Sequence, residues 1–113
     1  MIYEMKLKDI YFNKIQNGSK IYEIRLNDEK RQMLCIGDTI IFKSESDLKN
    51  TVTTSIDNLI YFKNFEDMAK TLSNDEIGFE NTNINDIVDT YHQFYNVDDE
   101  LKYGVVAIKL RLK

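Results

Sequence analysis

Between Gly18 and Asp38 the chain places three ionisable side chains at spacings that can bring them to one site. The run reads Gly18-Ser19-Lys20-Ile21-Tyr22-Glu23-Ile24-Arg25-Leu26-Asn27-Asp28, with Gly37-Asp38 ahead of Ile40-Ile41-Phe42. A period of two predicts a strand from Lys20 to Leu26, with Tyr22, Ile24 and Leu26 on one face and Glu23 and Arg25 on the other. Glu23 and Arg25 can therefore pair, and a surface pair of this kind is worth about 0.2–1 kcal/mol. On that reading Glu23→Gln leaves folding nearly intact. Lys20 shares its parity with the apolar face, so the reading puts it in an irregular turn after Gly18, from which its long stem reaches the mouth of the strand. Gly18 ends the preceding helix and permits close backbone approach to a bound group. Lys20 and Arg25 then offer donors to a phosphate or carbonyl, Arg25 with bidentate geometry. Glu23 offers acceptors to an exocyclic amine, or takes a proton. Asp28 is read as a cap for the following turn, and Lys30, Arg31 and Lys43 as solvated surface charges.

The remaining reactive residues form no recognisable constellation. His92 is the only histidine and Cys35 the only cysteine, too few for a zinc site and with no activating partner evident. Ser44 and Ser46 lack a nucleophile-elbow context, and no glycine-rich phosphate loop occurs. No metal and no cofactor is expected. Among the seven tyrosines and six phenylalanines, most follow apolar faces and belong to the core. Tyr103, ahead of Gly104 at an expected strand start, is retained as a stacking residue at the edge of the site.

The elements needed to position these groups follow from periodicity and turn residues. Ile2 to Leu7 reads as a strand, and Leu7, Ile10, Tyr11 and Ile15 recur at helical spacing before Asn17-Gly18. Asp28 to Cys35 reads as one helical turn, Thr39 to Lys43 as a strand, and Thr51 to Phe62 as a long strand with a bulge near Asn58. Asn64 and Asn83 are N-caps for two helices, the first bearing Phe65, Met68, Ala69 and Leu72. Segments 44–50 and 73–83 read as polar loops, and Tyr103 to Leu112 as the closing strand.

Composition restricts the partners. Net charge is −4, and residues 66–100 carry ten acids against the single Lys70. Nucleic-acid duplexes select broad basic surfaces, so an extended duplex is not expected as a partner. The acidic stretch lacks the regular spacing of a calcium loop and reads as solvated helix faces. No apolar run approaches the length of about 20 residues needed to cross a membrane, no secretory signal is evident, and an unpaired cysteine fits a reducing compartment. The expectation is a cytoplasmic protein without a membrane partner.

The Gly18–Asp38 run, together with Tyr103-Gly104-Val105-Val106-Ala107-Ile108, resembles the ASCH domain, a PUA-like family, over nearly the whole chain. The resemblance implies an α+β, mainly β, PUA-like open barrel of about five strands, with two to four helices at its ends and one domain over residues 1–113. It implies a cleft lined by the G-x-K-x-x-[ET]-x-R strand, matched here by Gly18, Lys20, Glu23 and Arg25, with Gly37-Asp38 as the turn that follows. PUA domains bind RNA. One bacterial branch of the ASCH family is an amidohydrolase that removes acetyl from N4-acetylcytidine, using a Lys, a Thr three residues later and a distant Glu. Lys20 matches that Lys, and Glu23 stands where the Thr would be.

Three readings result. The first is a binding module for short single-stranded RNA or a nucleotide or nucleoside ligand, held by Gly18, Lys20, Glu23, Arg25 and Tyr103. The second is a small hydrolase, either an amidohydrolase on a modified nucleoside or a ribonuclease, with Lys20 and Glu23 as acid/base partners. The third is a protein-interaction module presenting its acidic helical face.

Overall fold

A computed structural model describes residues 1–113. In chain order the elements are β1 (Ile2–Leu7), α1 (Asp9–Gln16), β2 (Tyr22–Leu26), β3 (Thr39–Ser44), β4 (Thr51–Phe62), α2 (Phe65–Thr71), α3 (Ile84–His92), α4 (Val97–Tyr103) and β5 (Val105–Leu112). A short 3-10 turn covers Arg31–Met33 between β2 and β3. The five strands form one sheet in the order β1-β3-β4-β5-β2. Only β1 and β3 run parallel; the other neighbours are antiparallel. The sheet is a half-barrel and the architecture α+β, as the sequence led one to expect. Strand β4 carries a register shift between Ile56 and Asn58, where the sequence pattern slips.

Both faces of the sheet are covered. Val106, Ile108 and Leu110 of β5 pack with Ile40 and Phe42 of β3 and with Phe12 and Ile15 of α1. On the opposite face, Val105 and Ala107 pack with Tyr22, Ile24 and Leu26 of β2 and with apolar residues of α2 and α3. This two-sided burial explains the unbroken apolar run of β5, which alternation alone would assign to a half-exposed strand. Along α1 the inward residues are Phe12 and Ile15, whereas Ile10, expected on the apolar stripe, is 58% exposed.

Three helices begin in the same way. Asn64, Asn83 and Asn96 each accept a hydrogen bond from the amide of an aspartate three residues on: Asp67 at 2.7 Å, Asp86 at 2.9 Å and Asp99 at 2.8 Å. The cap satisfies a free amide, and the aspartate adds negative charge to the first turn. The third of these starts α4, a helix the sequence reading left unassigned except for its last residue, Tyr103, which it placed in the closing strand. The correction matters for Tyr103, which ends α4 instead of opening β5. Gly104 makes the reversal between them at φ +71°, and a Cβ there would lie 3.0 Å from the Phe62 carbonyl oxygen. Only glycine fits this turn without strain.

Candidate functional site

Strands β1 and β2 are the two edges of the half-barrel, and the seam between them opens as a cavity of about 340 Å³. Its charged wall comes from β2 and the turn before it. The entry to β2 is pinned by the loop after α2, because Glu76 O accepts from the Ile21 amide at 2.9 Å and the Tyr22 amide at 3.1 Å. Lys20 therefore precedes the regular strand, as its parity required, and its stem turns inward. Residues 73–83, read from sequence as a polar loop, pack against this site: Ile77 is fully buried and Phe79 nearly so.

Lys20 and Glu23 are 3% and 6% exposed. The Lys20 ammonium donates to the Tyr22 carbonyl and, at 3.1 Å, to the Ile77 carbonyl, and lies 3.4 Å from Glu23 Oε1. An ammonium has three protons, so all of its donor capacity is met inside the protein. Arg25 Nε donates to Glu23 Oε2 at 2.7 Å, while its Nη2 reaches across the seam to the Lys6 carbonyl at 3.3 Å. The guanidinium has five donors, which leaves its Nη1 edge available at the cavity.

The electrostatics follow from this arrangement. Burial would push the Glu23 carboxyl up, but the charges and hydrogen bonds of Arg25 and Lys20 outweigh it and hold Glu23 below the usual range. Burial also opposes the Arg25 charge, and Glu23 overcomes it, so Arg25 is raised. For Lys20 burial dominates; Glu23 restores part of the loss and the net shift is downward. The phenols of Tyr11, Tyr91 and Tyr95 are all raised, first by burial and additionally by the negative charge of Glu23. They present neutral hydroxyls to the cavity.

The opposite wall is aromatic and comes from α3 and the residues after it, with Tyr91, Phe94 and Tyr95 lining the cavity together with Tyr11 and Phe79. Tyr91 and Tyr95 both stack on Phe65, with centroids 4.6 and 5.6 Å away, so their rings have little freedom. Lys6 and Lys8 stand at the β1 side, and the Lys8 ammonium lies 4.6 Å from the Phe94 ring centroid. Asp9 fixes the start of α1 beside this wall by accepting from Ser44 Oγ at 2.7 Å and from the Ser46 hydroxyl.

The structure thus brings Lys20, Glu23 and Arg25 together and separates two expected members. Tyr103 does not line the cavity; its hydroxyl donates to Glu29 Oε1 at 3.1 Å. Gly18 follows α1 beside a second recess and is not part of the cavity wall. The expectation that Glu23 is a half-exposed strand carboxylate is also corrected, since its partners and its burial make it an interior charge. The aromatic wall was missed because the helical spacing read from the sequence puts Tyr91 and Tyr95 on one apolar stripe, although the helix ends at His92, and sequence spacing cannot tell core from cavity. His92 is likewise away from the cavity, with Nε2 2.7 Å from Glu100 Oε1. No cluster of His, Cys, Asp and Glu is placed to hold a metal ion, and no helix is long and apolar enough to cross a membrane.

The sequence matches the ASCH domain over residues 5–113. None of the curated proteins matches it. Among solved structures, the crystal structure of hypothetical protein PH0355 superposes with a TM-score of 0.89 and 32% identity over 100% of both chains. The solution structure of protein PF0455 from Pyrococcus furiosus gives 0.80 and 28% identity over 99% of this chain and 97% of that one. The chain belongs to the ASCH domain family.

Proposed function

We propose that this ASCH-family protein binds a nucleotide, or one nucleotide unit of a short single-stranded RNA, in the cavity between β1 and β2. The observation that carries the reading is the pairing of an aromatic wall with a cationic one across about 340 Å³, within the usual volume of small-ligand sites. Aromatic rings accept a base by stacking, and the neutral tyrosine hydroxyls can meet its polar edge. The Nη1 edge of Arg25, with Lys6 and Lys8, supplies donors to phosphate. Lys20 and Glu23 do not touch the ligand in this account; they are positioning residues that set the orientation of Arg25. The acidic surface elsewhere disfavours a long duplex, and the few cations at the cavity give a shallow salt slope of about one to two ions per ligand.

The hydrolase reading draws on one observation, the buried lysine whose charge is disfavoured beside a carboxylate, a setting that activates lysines in some enzymes. Two features weigh against it: the three acceptors around the ammonium, and Glu23 at the position of the amidohydrolase branch's threonine. Calorimetric titration with nucleosides, mononucleotides and short RNAs tests the proposal, with acetate release from N4-acetylcytidine followed in parallel. Mononucleotide binding that Arg25→Gln weakens by about 1–3 kcal/mol is expected. Acetate release abolished by Lys20→Ala would replace the binding reading by the enzymatic one.

A further inference from the structure

The residues of β1, β3 and β4 that point away from the core form an open, basic sheet surface. Met5 and Leu7, Ile40 and Phe42, and Thr54 and Ile56 are buried, so the positions alternating with them point outward. The register sets these outward residues side by side. Lys6 pairs with Lys43 and Lys43 with Thr51, Glu4 with Ile41 and Ile41 with Thr53, and Thr39 with Ser55. Ser55 in turn pairs with Arg111 of β5, and Lys109 lies two residues before it. Lys113 joins them through its ammonium, which donates to Thr39 Oγ1 at 2.6 Å. The helical layer of α2 and α3 stops short of this surface, and its two isoleucines, Ile2 and Ile41, belong to neither apolar cluster.

Charge is segregated there. Lys6, Lys43, Lys109, Arg111 and Lys113 stand against two acids, Glu4 and Asp57, on a molecule whose net charge is −4. Both acids lie in exposed pairs, Glu4 with Lys43 at 2.9 Å and Asp57 with Arg111. Such pairs contribute under about 1 kcal/mol, so an incoming polyanion can displace them. The cations come from strands far apart in sequence, and no basic run announces them. The surface is also continuous with the cavity. Lys6 lines the cavity, its carbonyl accepts from Arg25 across the seam, and Lys43 stands beside it one strand further on.

We infer that the ligand of the cavity is one nucleotide of a single-stranded RNA whose flanking backbone crosses this surface. Its phosphates pass from Lys6 to Lys43 and on to Lys109 and Arg111, with the threonine and serine hydroxyls as further donors. From β1 to β5 the surface spans three inter-strand steps, about 14 Å, which is room for a few nucleotides and not for an extended duplex. With only Ile2 and Ile41 to bury, it suits a polyanion better than a protein partner. The inference rests on the proposed nucleotide site for where the strand begins, but the surface is tested apart from it.

The test compares the affinities of the intact protein for cytidine 5′-monophosphate and for single-stranded oligocytidylate of about six nucleotides. Two triple variants accompany the parent. One carries Lys43→Gln, Lys109→Gln and Arg111→Gln; the control, with the same change in charge, carries Lys63→Gln, Lys70→Gln and Lys102→Gln. The parent should bind the oligonucleotide about tenfold or more tighter than the monophosphate, with a salt slope steeper by about two ions. The surface variant should lose most of that preference and bind the monophosphate as the parent does, while the control keeps the preference. Lys109→Gln alone breaks no ion pair and should reduce the preference by about two- to threefold, so the result does not depend on the folding of the triple variant. Equal affinity of the parent for both ligands, or equal losses in surface variant and control, would overturn the inference. Binding of polyglutamate as tight as that of the oligonucleotide would overturn RNA as the occupant. Oligonucleotide binding that depends on the surface, with no binding of the monophosphate, would keep the surface and reject the nucleotide site in the cavity.

Discussion

Two buried glutamates with opposite surroundings show what distinguishes a site from a structural staple in this protein. Glu100 is 5% exposed, accepts from the Phe65 amide at 2.8 Å with one oxygen and meets His92 at 2.7 Å with the other. It joins the first turn of α2 to α3 and α4, and the arrangement is closed. Glu23 is just as buried, but it sits between two cations, one of which, Arg25, keeps donors facing a cavity. Burial and partnering of a carboxylate are therefore poor indicators of function here. The informative feature is the donor capacity left over at the cavity after internal demands are met, at Arg25.

The comparison makes its largest prediction at Glu23 itself. Glu23→Ala leaves Lys20 and Arg25 buried against each other and should cost about 3–5 kcal/mol in chemical denaturation. Glu100→Ala removes acceptors from one amide and one imidazole, and should cost about 1–3 kcal/mol. Equal losses at the two positions would erase the distinction between a charge-bearing site and a staple. Next in size is Gly78→Ala. Gly78 has φ +90°, and an added Cβ would lie 3.0 Å from Lys20 Cδ, whose ammonium is tethered and cannot retreat. A loss of about 1–2 kcal/mol is expected, with larger harm to ligand binding than a distant variant of equal stability.

The pH dependence has a definite sign. The carboxyl of Glu23 is held below its ordinary value in the folded state, so the unfolded chain binds the proton first as the solution is acidified. The stability it confers is complete above the ordinary carboxylate range, near pH 4.5, and is lost as pH falls through the lower folded value. Stability curves of the parent should fall more steeply in that acid window than those of Glu23→Gln. Parallel curves would mean that Glu23 is not ionised in the fold. The smallest effect is expected at the cavity mouth, where Phe94→Leu removes a ring that is half exposed and should change stability by under about 0.5 kcal/mol, while still weakening a stacked base.

Much of this arrangement was legible in the sequence. The change from helical to alternating period at Gly18, the Asn64 and Asn83 caps and the bulge of β4 were local signals, and the structure follows them. Helix α4 carries the same Asn-x-x-Asp signal at Asn96 and Asp99, but its apolar residues Val97 and Leu101 face outward and give no buried stripe to detect. The convergence of Lys20, Glu23 and Arg25 followed from spacing; their burial did not. What covers them is the Ile77 carbonyl, 57 residues away from Lys20 in sequence, with Tyr91 of α3 and Tyr95 just after it, and no local pattern encodes such contacts. Arg31 was read as surface because polarity around it suggested solvent, whereas its desolvation comes from the tertiary fold.

The most direct test of the account is a heteronuclear NMR titration of the intact protein with cytidine 5′-monophosphate. The account predicts saturable shifts confined to the cavity walls, at Lys6 to Tyr11, Glu23 to Arg25 and Thr90 to Tyr95, and absent from the Glu100 staple. Shifts that do not saturate, or that map to the outer faces of α2 and α4 instead of the seam between β1 and β2, would contradict it.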